Sequence, residues 1–184
     1  MADDTMHTRR LPAQPATPEA LADYGWVIAA HPSIPSRPLN FYPGTMRMPA
    51  PFVSDEQTEI SLVRLARRPL EVVYLERHFR HTQAFLPLGG KPFVLVLAPP
   101  SFDDMPPPEA LRAFRFGGDT GFCLKLGCWH EFPFVLEDDS DMVVLLRRET
   151  YTDLQRVVND EAAGADLDKR NFRRRTGTSV TIDV

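Results

Sequence analysis

Between positions 76 and 83 the chain reads Glu-Arg-His-Phe-Arg-His-Thr-Gln, which gathers a carboxylate, two imidazoles and an amide in one stretch. Such groups can move protons near neutral pH or hold a divalent cation. If the stretch is a strand, period-two alternation puts Glu76 and His78 on the same face, and a following strand can bring Gln83 opposite them. His81 falls on the link between those strands, either at the surface or supporting the other groups from behind. Arg77 alternates away, and an outward salt bridge is its expected role. The competing reading is a buried polar network that only fixes strand register.

The spacing resembles that of metal-binding cupins, whose ligands follow His-x-His, three or four residues, Glu, then six residues to a Gly. Here Glu76-x-His78, four residues, Gln83 and six residues lead to Gly90. The second cupin element, Gly-x-x-His, has its counterpart in Gly127-Cys-Trp-His130. What this resemblance implies is a metal set of Glu76, His78, Gln83 and His130. Two nitrogens and two oxygens suit Ni, Mn, Fe or Zn, with geometry deciding which. No organic cofactor is implied.

A closer resemblance follows. The string LERHFRHTQAFLPLGGKPFVLVLAPP is similar to the ERH and TQAFIPL core of the ureidoglycolate lyases, and PEALADYGWVI, LRAF at 111–114 and the Trp-His element at 129–130 occur in matching order. The similarity covers about residues 18–150. Two places depart from it: Glu131 and Phe132 stand before Pro133 where the family usually has a second His or a small element, and Leu124-Lys125 replaces a turn that often begins with Tyr. Membership would imply cleavage of ureidoglycolate to glyoxylate and urea in allantoin and purine catabolism, and a homodimer.

Such a cleavage needs a base for the substrate hydroxyl, an acid for departing urea and a cation for the carboxylate. Glu76, His78 and His130 can supply the proton transfers, or a metal they hold can polarise the substrate oxygens. The sequence does not choose between them. Lys125, on the strand leading to Trp129-His130, is the first candidate cation, and Arg47, whose guanidinium suits a carboxylate, is the second. Gln83 and Trp129 are expected to line the substrate pocket, Trp129 as a wall. A cupin enzyme for another small hydroxy acid, or a non-catalytic small-molecule-binding cupin, are the rival readings.

The elements that must position these groups are mostly short strands. From residue 58 onward, segments such as TEISLVRLARR, EVVYLERH, QAFLPL and GFCLKLG carry β-branched or aromatic residues between Gly and Pro clusters, and PFVLVLA and MVVLL are apolar throughout. That pattern predicts a mainly β protein, a cupin-like antiparallel barrel of jelly-roll type with one or two short helices. Residues 1–16 read as a loose arm, 17–158 as one barrel domain and 159–184 as a polar, solvated tail containing Arg173, Arg174 and Arg175. Thr17 and Pro18 begin a helix signal that Gly25 ends, and 108–113 and 151–158 are further helix candidates. The prolines of 31–51 predict a long loop over the surface or the barrel mouth.

Composition bounds the partners. The 184 residues carry a net charge of −4, which offers no basic field to nucleic acid or an anionic membrane. The first twenty residues lack the apolar block of a secretory signal, so a cytoplasmic enzyme with a small-molecule substrate is expected. Cys123 and Cys128 lack CxxC spacing and read as buried thiols. His7, His31 and Arg112 read as solvated or structural.

Overall fold

The apolar run at 92–98 becomes part of the strand Gly90–Ala98, the centre of the larger of two main sheets in a computed structural model that describes residues 6–184. Its alternate side chains serve two cores: Phe93, Leu95 and Leu97 face one, and Val94, Val96 and Ala98 the other. A strand covered on both faces has no polar positions to spare, which is why this segment reads as a continuous apolar run.

The larger sheet has eleven strands and curls strongly. Against it stands a five-stranded sheet ordered Gly25–Ile28, Gly121–Leu124, Ala84–Leu88, Ser140–Arg147, Thr58–Leu65. The first core fills the space between them, with Phe93, Phe114 and Phe116 from one sheet meeting Phe85, Phe122 and Met142 from the other. Two short helices, Glu149–Leu154 and Phe172–Thr176, complete a mainly β, cupin-like fold. Among the described residues no helix is long and apolar enough to cross a membrane.

Several segments differ from the sequence reading. Residues 7–15, expected within a loose arm, form a strand that pairs in parallel with Thr178–Asp183 through 7–12 and with Arg112–Gly118 through 13–15. Residues 1–5 lie outside the described residues. Parallel pairing on both sides departs from an all-antiparallel barrel. Leu11 shows why it holds: it is buried in the second core with Val180 and Ile182.

The region 159–184 is likewise no solvated tail. Leu167–Asn171 pairs with Tyr74–His78, Phe172 is fully buried, and the arginines are partnered, Arg175 and Arg174 with Glu161 and Arg173 with Glu71. At 17–25 only turns form, although Thr17 Oγ1 does accept from Ala20 N. Of the other helix candidates, 108–113 yields a 3-10 turn at Pro108–Ala110 before a strand, and 151–158 yields the helix Glu149–Leu154, which begins and ends earlier than expected. The 31–51 segment is a largely exposed loop carrying a small hairpin, Arg37–Pro38 with Met46–Arg47, and it packs towards Trp26.

Candidate active site

Three strands lie side by side in the larger sheet: Leu167–Asn171, Tyr74–His78 and Trp129–His130. Their register sets Lys169, Glu76 and His130 in one row across the ladder. Directly opposed side chains in antiparallel strands share a face and touch. Lys169 Nζ donates to Glu76 Oε2 at 2.8 Å, and His130 Nε2 lies 3.1 Å from Glu76 Oε1. Gly127 helps align the third strand: with φ of 72° it makes the turn into Cys128, and its N–H donates to His78 O at 2.7 Å.

Glu76 is buried, which by itself would raise its carboxyl. The Lys169 ammonium and the His130 contact outweigh burial and hold it well below the ordinary carboxylate range. Lys169 is raised in turn, because Glu76 outweighs the burial that would lower it. The pair is therefore ionised.

His78 lies two residues along the same face from Glu76, its ring centroid 5.3 Å from that of His130 and 4.4 Å from that of His81. Burial, followed by repulsion from His81 and His130, pushes its imidazole down to about 3, so the ring is neutral. His81 sits at the bend after the strand, and its Nδ1 is 2.7 Å from Asp166 Oδ2, both side chains being fully buried. Asp166 also accepts from Thr150 Oγ1 and from the backbone N–H groups of Phe79 and Arg80.

The structure brings together Glu76, His78 and His130, whose ligand atoms lie within 4.8 Å of one another. Gln83 is buried nearby in sequence, with Oε1 unpartnered. Lys125 is not brought to this cluster: its Nζ sits over Trp26 and donates to Ala22 O. Arg47 is exposed in the loop hairpin. Trp129 alternates away from His130 into the second core, where its indole N–H donates to Ser101 Oγ, so it is no wall of this site. Arg77 pairs with Asp168 as expected but is buried, stacked over Trp129 at 4.2 Å. Glu131 is spent on the backbone N–H groups of Val73 and Tyr74.

The donors fit a divalent cation. Both ring nitrogens of His78 and Nε2 of His81 are buried without a partner, and neutral imidazole is a good ligand for first-row ions.

The family model described as ureidoglycolate lyase matches residues 8–166. The chain belongs to the ureidoglycolate lyase family. A ureidoglycolate lyase from Stutzerimonas stutzeri is 35% identical over 147 residues, covering 76% of this chain and 84% of that protein. One from Pseudomonas syringae pv. syringae is 36% identical over 148 residues with the same coverage. The match to the Azotobacter vinelandii protein is 41% over 88 residues, and spans 48% of this chain and 52% of that relative.

The ureidoglycolate lyase match ends at Asp166, before Lys169. Lys169 and Asp166 were not identified as site groups from sequence, and His81 was read only as a surface residue or a support for the others. The sequence carries no signal for Lys169 and Asp166: Leu167 is the one apolar residue of LDKRN, so the strand shows no apolar alternation.

Proposed function

We propose that this chain is a carbon–nitrogen lyase that splits ureidoglycolate into glyoxylate and urea at the Glu76, His78, His130 and Lys169 cluster. The Lys169–Glu76–His130 row carries the reading, because it supplies a cation and a proton donor on one face of one sheet. Lys169 lines a cavity of about 190 Å³ with Tyr74, Leu154, Asp160 and Glu161 while its ammonium reaches Glu76, which sets a cation between that cavity and the cluster. His130 has acceptors at both nitrogens, Glu76 Oε1 and, at 3.2 Å, Cys128 O. As the imidazolium it donates to both and is the proton source for the leaving ureido nitrogen.

His78 offers an unpartnered nitrogen beside this row, but a ring that protonates only at about 3 is a weak base. Its part is to hold a cation that would lower the pKa of the hydroxyl on the same carbon and let water take its proton. Loss of that proton, closure of the C=O bond and rupture of the C–N bond give glyoxylate, and protonation of the departing nitrogen gives urea. A divalent cation such as Ni, Mn or Zn, held through His78, would polarise the substrate oxygens.

The same reading carries allantoin catabolism and a cytoplasmic setting, which suits two unpaired buried thiols, Cys123 and Cys128. It also carries a homodimer, supported by exposed Ile60, Leu62 and Leu88 on the five-stranded sheet and measurable by light scattering.

The deciding experiment gives purified protein ureidoglycolate, with and without added Ni, Mn or Zn, while glyoxylate, urea and ammonia are followed. Equal glyoxylate and urea support the lyase. Ammonia with carbon dioxide would mean attack at the ureido carbonyl instead, and no turnover by folded protein under any metal condition would favour a binding protein.

A further inference from the structure

Within the buried cluster the polar groups fall into two sets. Glu76, His130 and Lys169 satisfy one another. His78 and His81 do not: both nitrogens of His78 and Nε2 of His81 have no hydrogen-bond partner, and neither ring is more than 3% exposed. A buried lone pair without a donor is costly, and a native structure keeps one where something else fills the need.

We propose that His78 and His81 form a divalent-cation site, with Asp166 orienting His81 from behind. Asp166 accepts the Nδ1–H of His81 at 2.7 Å and so leaves the lone pair on Nε2. This is the carboxylate–histidine–metal arrangement, in which the carboxylate fixes the tautomer and raises ligand basicity. Asp166 itself is spent: Thr150 Oγ1 and two backbone N–H groups take up its remaining capacity. The facing rings are 4.4 Å apart between centroids and tilted by 40°.

Ligand atoms of His78, His81 and Asp166 lie within 4.8 Å of one another. Two metal–nitrogen bonds of about 2.0–2.1 Å at a tetrahedral angle set their nitrogens roughly 3.3 Å apart, so a movement of under about 1 Å by each side chain admits an ion. Placing the ion against Glu76 and His130 instead would require His130 Nε2 to give up its contact with Glu76 Oε1, whereas His78 and His81 have nothing to give up. Gln83 Oε1 is also buried and unpartnered, and is an oxygen of the type such ions accept. With the cation bound, the ion and not a free His78 nitrogen faces the substrate hydroxyl.

The test is metal binding by the full chain after chelator treatment, with Co(II) followed by its visible absorption and Ni(II) by calorimetry. One ion per chain is expected. His81→Ala and His81→Gln should each weaken binding at least tenfold and change the Co(II) spectrum, and Asp166→Asn should weaken it by the roughly 10–100-fold seen when an orienting carboxylate is lost. His130→Ala should hold its affinity within about threefold, because its ring is not a ligand in this arrangement. Circular dichroism establishes folding, and the two His81 variants carry the test if Asp166→Asn, which also loses contacts to Phe79 and Arg80, does not fold. Absence of binding by folded parent protein would overturn the site, as would loss of the ion in His130→Ala with retention in His81→Ala. No substrate enters these measurements, so they and the lyase assay fail independently.

Discussion

Lys169 stands directly across the antiparallel ladder from Glu76, its Nζ 2.8 Å from Oε2, and the carboxylate it pairs with is buried. Removing one partner of such a pair leaves a buried charge, which costs roughly 3–5 kcal/mol when both are fully buried. The Lys169 side chain is 25% exposed, so solvent screening brings the cost below that range. Lys169→Met should therefore lower stability by about 2–3 kcal/mol in urea unfolding, and Lys169→Arg should recover most of it. Equal stability of Lys169→Met and parent would show that the pair contributes nothing.

The same ammonium has donors left for a substrate carboxylate. In the ureidoglycolate assay Lys169→Met is expected to raise KM at least tenfold, with Lys169→Arg in between. Lys125→Met should leave both kcat and KM within about twofold, since its ammonium is engaged with Ala22 O and Trp26. A larger loss in Lys125→Met than in Lys169→Met would reverse the assignment.

A positioned proton donor contributes about a hundredfold or more to rate. His130→Gln keeps an N–H that can reach Glu76 but cannot deliver a proton, so kcat should fall by at least that factor in a folded protein. Unchanged kcat would return His130 to a structural role.

The sheets were legible in the sequence because their signals are local. The apolar run at 92–98 and the Gly and Pro punctuation after residue 58 declare buried strands and turns without reference to anything distant, and the alternation of Glu76 and His78 declares a shared face, while His130 entered through the resemblance of Gly127-Cys-Trp-His130 to the second cupin element. Lys169 was not legible in this way. Its strand is written LDKRN, which has the composition of a solvated tail, and only pairing with residues some ninety positions earlier gives Lys169 a buried carboxylate to neutralise. Lys125 fails for the complementary reason: it is close in sequence to His130 but lies beyond the strand Gly121–Leu124, at the turn before Gly127, where its side chain runs to Ala22 and Trp26. Residues 7–15 looked like a loose arm for want of apolar alternation, because their backbone partners are the last strand and Arg112–Gly118.

Removing residues 167–184 tests whether this region is structural. It takes away buried Leu167, Phe172, Val180 and Ile182 and uncovers an edge beside Tyr74–His78. Burying a large aliphatic or aromatic side chain contributes roughly 1.5–3 kcal/mol, so losing four exceeds much of a typical domain's 5–15 kcal/mol. The shortened chain is expected to be insoluble or to lack a cooperative unfolding transition. A truncated protein that unfolds cooperatively with parental stability would restore the solvated-tail reading.

Acid should destabilise the metal-free protein through His78 in particular. Burial first, then the neighbouring His81 and His130, lowers its ring to about 3, whereas an unfolded-chain histidine titrates near 6.5. Above pH 6.5 the ring is neutral in both states and stability is indifferent to pH on its account. Between 6.5 and about 3 the unfolded chain binds a proton that the folded chain does not, so stability falls as pH falls, by at most about 1.4 kcal/mol per unit. From pH 6.5 to 4.5 that amounts to roughly 2–3 kcal/mol. Glu76, held well below the ordinary carboxylate range, adds a loss in the same direction that starts lower, near the unfolded carboxyl value of about 4.3. Denaturant unfolding at pH 7.5, 6.5, 5.5 and 4.5 covers the His78 window and stops above that of Glu76, and His78→Asn removes the former. Its stability should be lower than the parent's at pH 7.5 yet decline less steeply towards 4.5. Parallel curves for parent and His78→Asn would show that His78 is not a buried neutral imidazole.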